Sequence, residues 1–258
     1  MKTKLILLIC LFTGLSATLS AQNARFATEG VIEFDRNTNM FAILQKKINK
    51  NSSSFMTTVV DAYKKTESQF KVLKSTVTFT KDKTLFKPIE DTAPPIKYFG
   101  DSPDISQINT IYTDLGTNLK LTQKKVYEET FLVKDTIRKI NWKITGETRE
   151  IAGYMCRRAN AVMMDSVYVV AFYTDEIPVS GGPESFNGLP GMILGVALPH
   201  ENVTWFATKV TDRPVEAKAI AAPTKGKATD SAGLIKTLTS ALKEYGEYMK
   251  TMLKAFLL

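Results

Sequence analysis

Reactive side chains are sparse in this chain of 258 residues, and the few that could do chemistry crowd toward one stretch. His200 is the only histidine, and it sits in the turn sequence Pro199-His200-Glu201-Asn202. Any Ser-His-Asp relay or histidine-bound zinc would depend on that one ring. Asp175, Glu176 and Glu184 lie 25, 24 and 16 positions before it, so the one plausible hydrolytic set is Asp175, Glu184 and His200. Neighbouring side chains in a strand point to opposite faces, so Asp175 and Glu176 do not converge unless a loop redirects one. No G-x-S-x-G, H-E-x-x-H or C-x-x-C motif supports acyl transfer, metalloprotease chemistry or dithiol redox chemistry. A loop histidine and loop acids of this kind are ordinarily solvated. No cofactor and no metal ligand set is expected.

The stretch that must position these groups is Asp175–Leu198, DEIPVSGGPESFNGLPGMILGVAL. It joins the apolar run Val167–Phe172 to the apolar run Met192–Leu198. Leu189-Pro190-Gly191-Met192 reads as a type II turn, with proline presetting φ at the second position and glycine taking positive φ at the third. Gly188 and Gly191 are the structural turn residues. If the loop makes contact with a ligand or partner, the residues that place it are Phe186, Leu189, Pro190 and Met192. The glycines lead into a strand and lack the Lys-Ser/Thr and helix start of a phosphate cradle.

FNGLPGMILGV (Phe186–Val196) resembles the signature of the GLPGLI family of bacterial envelope proteins, with Met192 where the family name has leucine. Trp142–Ala159, Ala171–Pro178 and Gly181–Phe186 resemble its pattern as well, over roughly 112–206. The family has no established biochemical activity. The resemblance therefore implies a compartment and a fold and carries over no catalytic residue.

The remaining chain supplies the frame. Met1–Ala21 has Lys2 and Lys4 before a short apolar core, then small residues, which is the pattern of a cleaved secretory leader. Its core is too short to span a bilayer. Cys10 follows Ile9, not the small residue a lipoprotein signal needs. Cleavage leaves 258 less 21, or 237 residues, and lowers the net charge from +8 to +6. The expected location is the periplasm or outer envelope of a Gram-negative bacterium. Cys156 is then the only cysteine, so the mature chain has no internal disulfide and its core must hold it together. Strand alternation puts Cys156 on a packed face, as an inert thiol.

Glu29–Phe34 reads as a strand. Asn39–Phe70 reads as two short helices interrupted at 49–54. From Lys71 the pattern is β: 72–80, 84–89, 107–112, 119–127, 130–133, 139–145, 151–158, 159–163, 167–173, 192–198 and 203–210, with turns at 81–83 and 146–149 and a Pro/Gly/Asp loop at 91–104. Residues 22–216 form one β-rich domain, 217–229 a linker and 230–258 a single amphipathic helix. The fold class is α+β, mainly antiparallel: a curved meander with N-terminal helices and a long C-terminal helix packed on it. That helix has a stripe running from Leu234 to Phe256, which suits docking on the sheet or, alternatively, on a membrane surface.

Lysines are scattered along the strands (Lys71, Lys74, Lys81, Lys83, Lys120, Lys124, Lys125) and read as polar-face residues. The chain lacks the clustered basic patch with aromatics that nucleic-acid binding needs. The expectation is an exported non-catalytic protein that binds an apolar ligand, a lipid or an envelope protein. The alternative is a hydrolase with its polar site at the Pro/Gly loop.

Overall fold

The computed structural model describes residues 26–48, 54–91, 102–105, 109–246 and 248–258. The leader at Met1–Ala21 and most of the loop expected at 91–104 lie outside the described residues. Within them the architecture is α+β and mostly antiparallel, built on one sheet of twelve strands.

The strands are β1 (Gly30–Asn39), β2 (Phe70–Phe79), β3 (Lys83–Pro88), β4 (Asn109–Asp114), β5 (Leu119–Val126), β6 (Glu129–Thr136), β7 (Lys143–Ile151), β8 (Tyr154–Met163), β9 (Val167–Thr174), β10 (Met192–Leu198), β11 (Val203–Asp212) and β12 (Lys227–Thr229). Their order is β12-β6-β5-β4-β3-β2-β1-β11-β10-β9-β8-β7. Two antiparallel meanders therefore flank β1, and only β12 pairs in parallel, against β6.

The connection from β6 to β7 dictates the shape. Those strands lie ten strand spacings apart, roughly 48 Å if the sheet were flat. The chain from Thr136 to Lys143 reaches at most about 25 Å. The sheet must curl strongly, which gives it a concave face. Strand alternation places Ile32, Phe34, Arg36 and Thr38 of β1 on that face, all buried.

Three groups of residues cover the concave face. The helices α1 (Met40–Lys47) and α2 (Ser54–Thr66) bury Met40, Leu44 and Val60 with Ile105 in one cluster. Asn39 caps α1 by accepting from the Ala42 N–H at 3.1 Å. The main core joins Phe34, Val77, Phe79 and Ile111 to Ile177, Phe186, Leu189 and Met192 from the Pro/Gly loop. At the far end, α3 (Ser231–Ala241) and α4 (Tyr248–Leu257) set Leu234, Leu238, Met252 and Phe256 on Val126, Phe131 and Val133.

Several expectations need correction. The C-terminal helix is broken: a 3-10 turn at Lys243–Tyr245 and Gly246 at φ +54 separate α3 from α4. A straight helix from Leu234 to Phe256 would be about 33 Å long and would overrun its patch on two strands; folding back lets both halves reach it. The linker at 217–229 contains a 3-10 turn with Ile220 buried, and β12. The turn expected at 146–149 is part of β7, and the chain reverses at Ala152 and Gly153, both at positive φ as a two-residue hairpin requires. Residues 154–163 form one strand, not two.

Lys120 and Lys124 are buried, not on a polar face. In LKLTQKKV the inward parity belongs to Lys120, Thr122, Lys124 and Val126, leaving Leu119 and Leu121 half-buried on the other side. Val126, packed under α3 and α4, sets that parity.

Candidate functional site

A polar strip crosses the concave face, and β1 supplies its centre. Arg36 continues the inward parity of Ile32 and Phe34 and is 6 % exposed. Its Nη1 donates to the Ile105 carbonyl at 2.7 Å and its Nη2 to the Asp104 carbonyl at 2.9 Å. These bonds pin the 102–105 segment over the sheet. The guanidinium lies 5.3 Å from the ring centre of Trp205, its register partner on β11. Burial lowers the Arg36 pKa, while Glu184 and Asp104 act in the opposite direction.

Glu184 reaches the strip from the Pro/Gly loop. Its backbone sits at φ +49, an uncommon conformation for a residue with a side chain, and that residue is buried. Its Oε2 accepts from the Asn109 amide at 2.9 Å. Burial pushes the Glu184 carboxyl upward, and the Asn109 bond, Lys124 and Arg36 hold it back. Asn109 of β4 is in register with Lys124 of β5. Burial pushes the Lys124 ammonium down to about 8; Glu184 opposes this, while Lys120 and Arg138 add to it by repulsion.

The Pro/Gly loop is interior scaffolding. Phe186, Leu189 and Met192 are each no more than 2 % exposed, so they have no surface to offer a partner. Of the four expected contact residues only Pro190 is exposed; Gly188 beside it is exposed as well. The corner is not a type II turn. The Gly191 N–H donates to the Leu189 carbonyl at 2.8 Å, an inverse γ-turn centred on Pro190. The Met192 N–H donates to Ile177 instead, at 3.0 Å, so strand-like pairing to 177 wins over closure of the turn. Gly191, at φ +150, is obligatory: a Cβ there would lie 2.1 Å from the Thr174 carbonyl oxygen. Gly188, at φ +90, donates its N–H to Ser180 Oγ at 3.0 Å. Trp142 Nε1 donates to the Asn187 carbonyl at 2.8 Å and fastens the loop from outside. The ring of Phe186 lies 5.9 Å from that of Trp205 and supports it.

Two cavities share Arg36 and Trp205. The first, about 460 Å³, has an apolar wall of Leu73, Phe86, Pro88 and Ile89, with Ser75 and Glu184 also lining it. Lys71, Lys74, Glu90 and Asp91 complete its lining. The second, about 360 Å³, lies between Ile43 of α1, Val203 and Ala255 of α4. Its charged groups are largely paired: Lys47 with Asp104 at 3.3 Å, and Lys254 with Glu201 at 3.3 Å. Arg36 Nε, Ser75 Oγ and Trp205 Nε1 are buried without a hydrogen-bond partner among the described residues. All three belong to residues that line the first cavity, but the atoms themselves lie beneath its surface.

The hydrolytic set is not brought together. Asp175 and His200 are exposed and Glu184 is buried. The His200 ring lies 6.5 Å from that of Tyr168, and its carbonyl accepts from Lys46 Nζ. No group of three or more His, Cys, Asp or Glu side chains among the described residues could hold a metal ion. Cys156 is buried, its thiol pushed up to about 12 by burial and then by Glu176. A thiol so raised is protonated at neutral pH. Arg36 and Lys124 escaped sequence reading, although the β1 alternation continued through Phe34 would have placed Arg36 inside.

A family described as a protein of unknown function (Porph_ging) matches residues 161–195, which run from within β8 through the Pro/Gly loop into β10. No curated protein matches. Among solved structures the chain is similar to PNGF-II in two crystal forms. In the P21 form the identity is 16 % and the TM-score 0.50, covering 82 % of this chain and 33 % of that one. In the C2 form the values are 14 % and 0.51, covering 87 % and 32 %. The chain thus spans about a third of the length of PNGF-II, and at this identity the likeness is one of fold.

Proposed function

We propose that this is an exported, non-catalytic envelope protein of the GLPGLI kind that holds an amphipathic small molecule on the concave face of its sheet. One observation carries the reading: the cavity of about 460 Å³ sets an apolar wall of Leu73, Phe86 and Ile89 beside polar lining side chains from Arg36, Lys71, Lys74 and Ser75. A cavity of that size, largely apolar with a few convergent polar groups, suits a small organic ligand. The apolar body lies against the wall, and its polar end faces the polar side chains of the lining, Lys71, Lys74 and Ser75 among them. Glu184 and the terminal nitrogens of Arg36 are already hydrogen-bonded within the protein, which favours holding a ligand over acid/base work.

The basic-apolar leader Met1–Ala21 and the GLPGLI-like run at Phe186–Val196 support an envelope location. The apolar stripes of α3 and α4 pack on β5 and β6, which favours a role for them in closing the fold over one in membrane docking.

The test is native mass spectrometry of the protein recovered from the periplasmic and outer-envelope fractions of its own host. A bound species of defined mass, released by organic extraction, is the expected result. Recovery of the unliganded chain alone, or of a cytosolic protein with its leader intact, contradicts the reading.

A further inference from the structure

An amine, a carboxamide and a carboxyl group meet inside this fold. Antiparallel register sets Asn109 of β4 opposite Lys124 of β5, and the two are 1 % and 6 % exposed. Opposed residues hold their Cβ atoms about 5 Å apart, and a lysine stem is long enough to bring Nζ back onto its neighbour's side chain. Both residues line one small space of about 40 Å³, which Phe256, Leu257 and Leu258 close from the helix side. Glu184 reaches Asn109 from the Pro/Gly loop, where its Oε2 accepts from the carboxamide N–H at 2.9 Å. Asn109 Oδ1 is buried and has no partner among the described residues, so no other donor holds that carbonyl.

Joining an amine to a carboxamide has four requirements, and each has a counterpart here. The reacting groups must be held side by side, which the strand register does. The amine must be able to shed its proton, and burial lowers the Lys124 ammonium to about 8. A neighbouring carboxyl must both take and give protons, and burial raises that of Glu184 out of the ordinary carboxylate range. Water must be scarce, because it would hydrolyse the carboxamide instead; at roughly 10–15 Å³ per water, the space admits only a few.

We propose that Lys124 and Asn109 join in an intramolecular isopeptide bond, with Glu184 as the proton carrier. Glu184 takes one proton from Lys124 Nζ, whose lone pair then attacks Asn109 Cγ, and the carbonyl electrons move onto Oδ1. Glu184 hands that proton to Nδ2 and takes a second from Nζ. The carbonyl re-forms, the Cγ–Nδ2 bond breaks, and ammonia leaves with the second proton as ammonium. An ammonium and a carboxamide become an amide and ammonium ion, with no oxidant or further reactant. The hydrogen bond that withholds Glu184 from an outside substrate is the one that aims it at Asn109. Chains start unlinked, with Lys124 as a buried ammonium, and close with time. Closure removes that buried charge and ties β4 to β5, in a sheet whose one described cysteine leaves it without a disulfide. The bond is independent of the amphipathic-ligand reading, which could fail without affecting it.

The experiment keeps the purified chain from Gln22 onward in neutral buffer for several days, then denatures samples and digests them with trypsin for mass spectrometry. Gln22 at an N-terminus also loses ammonia, so peptides decide the matter and intact mass does not. Trypsin cuts after Lys120, between the two residues, so a closed bond yields one branched peptide joining 98–120 to 121–125. That peptide, lighter than its two parts by one ammonia, is expected to accumulate. Glu184→Gln is expected to lower its yield at a matched time by about a hundredfold or more, and Lys124→Arg to abolish it. Asn109 recovered unlinked in every chain, intact or hydrolysed to aspartate, overturns the proposal. A branch at Lys120, an undiminished yield in Glu184→Gln, or an equal yield from chains kept unfolded in guanidinium chloride overturns it as well. Should Glu184→Gln not fold, the parent chain and its unfolded control decide alone.

Discussion

Replacing Lys124 by methionine should make the protein more stable, and the gain should vanish at high pH. Lys124 is 6 % exposed and its ammonium titrates at about 8, against 10.5 in the open chain. Below pH 8 it is charged in both states, and the folded state carries the penalty of burying that charge. Between pH 8 and 10.5 the folded protein releases the proton first, so the unfolded chain binds more protons and stability rises with pH. Above 10.5 both states are neutral at this position and the penalty is gone. A shift of that size corresponds to about 3 kcal/mol. Methionine keeps the length of the stem without the charge. Lys124→Met should therefore exceed the parent protein by up to about 3 kcal/mol at pH 7 and match it near pH 10.5. Glu184, which loses a counter-charge in the variant but keeps Asn109, will trim the gain. The assay is urea unfolding followed by circular dichroism at both pH values, in chloride buffer without phosphate or sulfate. Tyrosine and cysteine titrations are common to both proteins and cancel in the difference. A stability difference that stays constant across this pH range would refute the buried-ammonium argument.

Other outcomes follow from packing and backbone geometry. Gly191→Ala puts a Cβ 2.1 Å from the Thr174 carbonyl and should cost about 3 kcal/mol or more, whereas Gly188→Ala, exposed and with no atom closer than 3.6 Å, should cost about 1 kcal/mol from positive φ; chemical denaturation separates them. Cys156 should resist a thiol reagent at pH 8 in the folded protein and react on unfolding, read by peptide mass analysis; reaction in the folded state would contradict its burial. Leu238→Ala empties the contact between α3 and the Phe131 patch and should lower stability by about 2 to 5 kcal/mol, with loss of protection at α4 in hydrogen exchange.

How far the sequence could be read depended on whether local pattern and tertiary environment agreed. The two N-terminal helices and the β9 and β10 runs were legible, because apolar spacing is a local signal. The cap of α3 was narrowed to Asp230 or Ser231, and it is Asp230 that accepts from the Gly233 N–H, at 2.7 Å. The helix break at Gly246 was not legible, since the stripe from Leu234 to Phe256 continues in register on paper. Only the limited patch of Val126, Phe131 and Val133 forces the chain to fold back. The polar strip was invisible for a related reason. In LKLTQKKV the alternation offers two faces, and the leucines argue for the wrong one. What turns the lysines inward is Val126, whose partners come from more than a hundred residues further along. The Pro/Gly corner was recognised as rigid, but its γ-turn depends on Ile177 capturing the Met192 N–H, a pairing that no turn rule contains.

The ligand cavity beside Trp205 is the centre of this account, and one fluorescence titration tests it. The chain has two tryptophans, Trp142 and Trp205, so a Trp142→Phe background leaves Trp205 as the sole reporter. Adding 8-anilinonaphthalene-1-sulfonate, an apolar probe with an anionic end, should quench Trp205 saturably at one site per chain, and Leu73→Trp, read by the probe's own emission, should remove that binding by filling the cavity. Quenching that never saturates, or probe binding unchanged by Leu73→Trp, would show that the space beside Arg36 and Trp205 holds nothing.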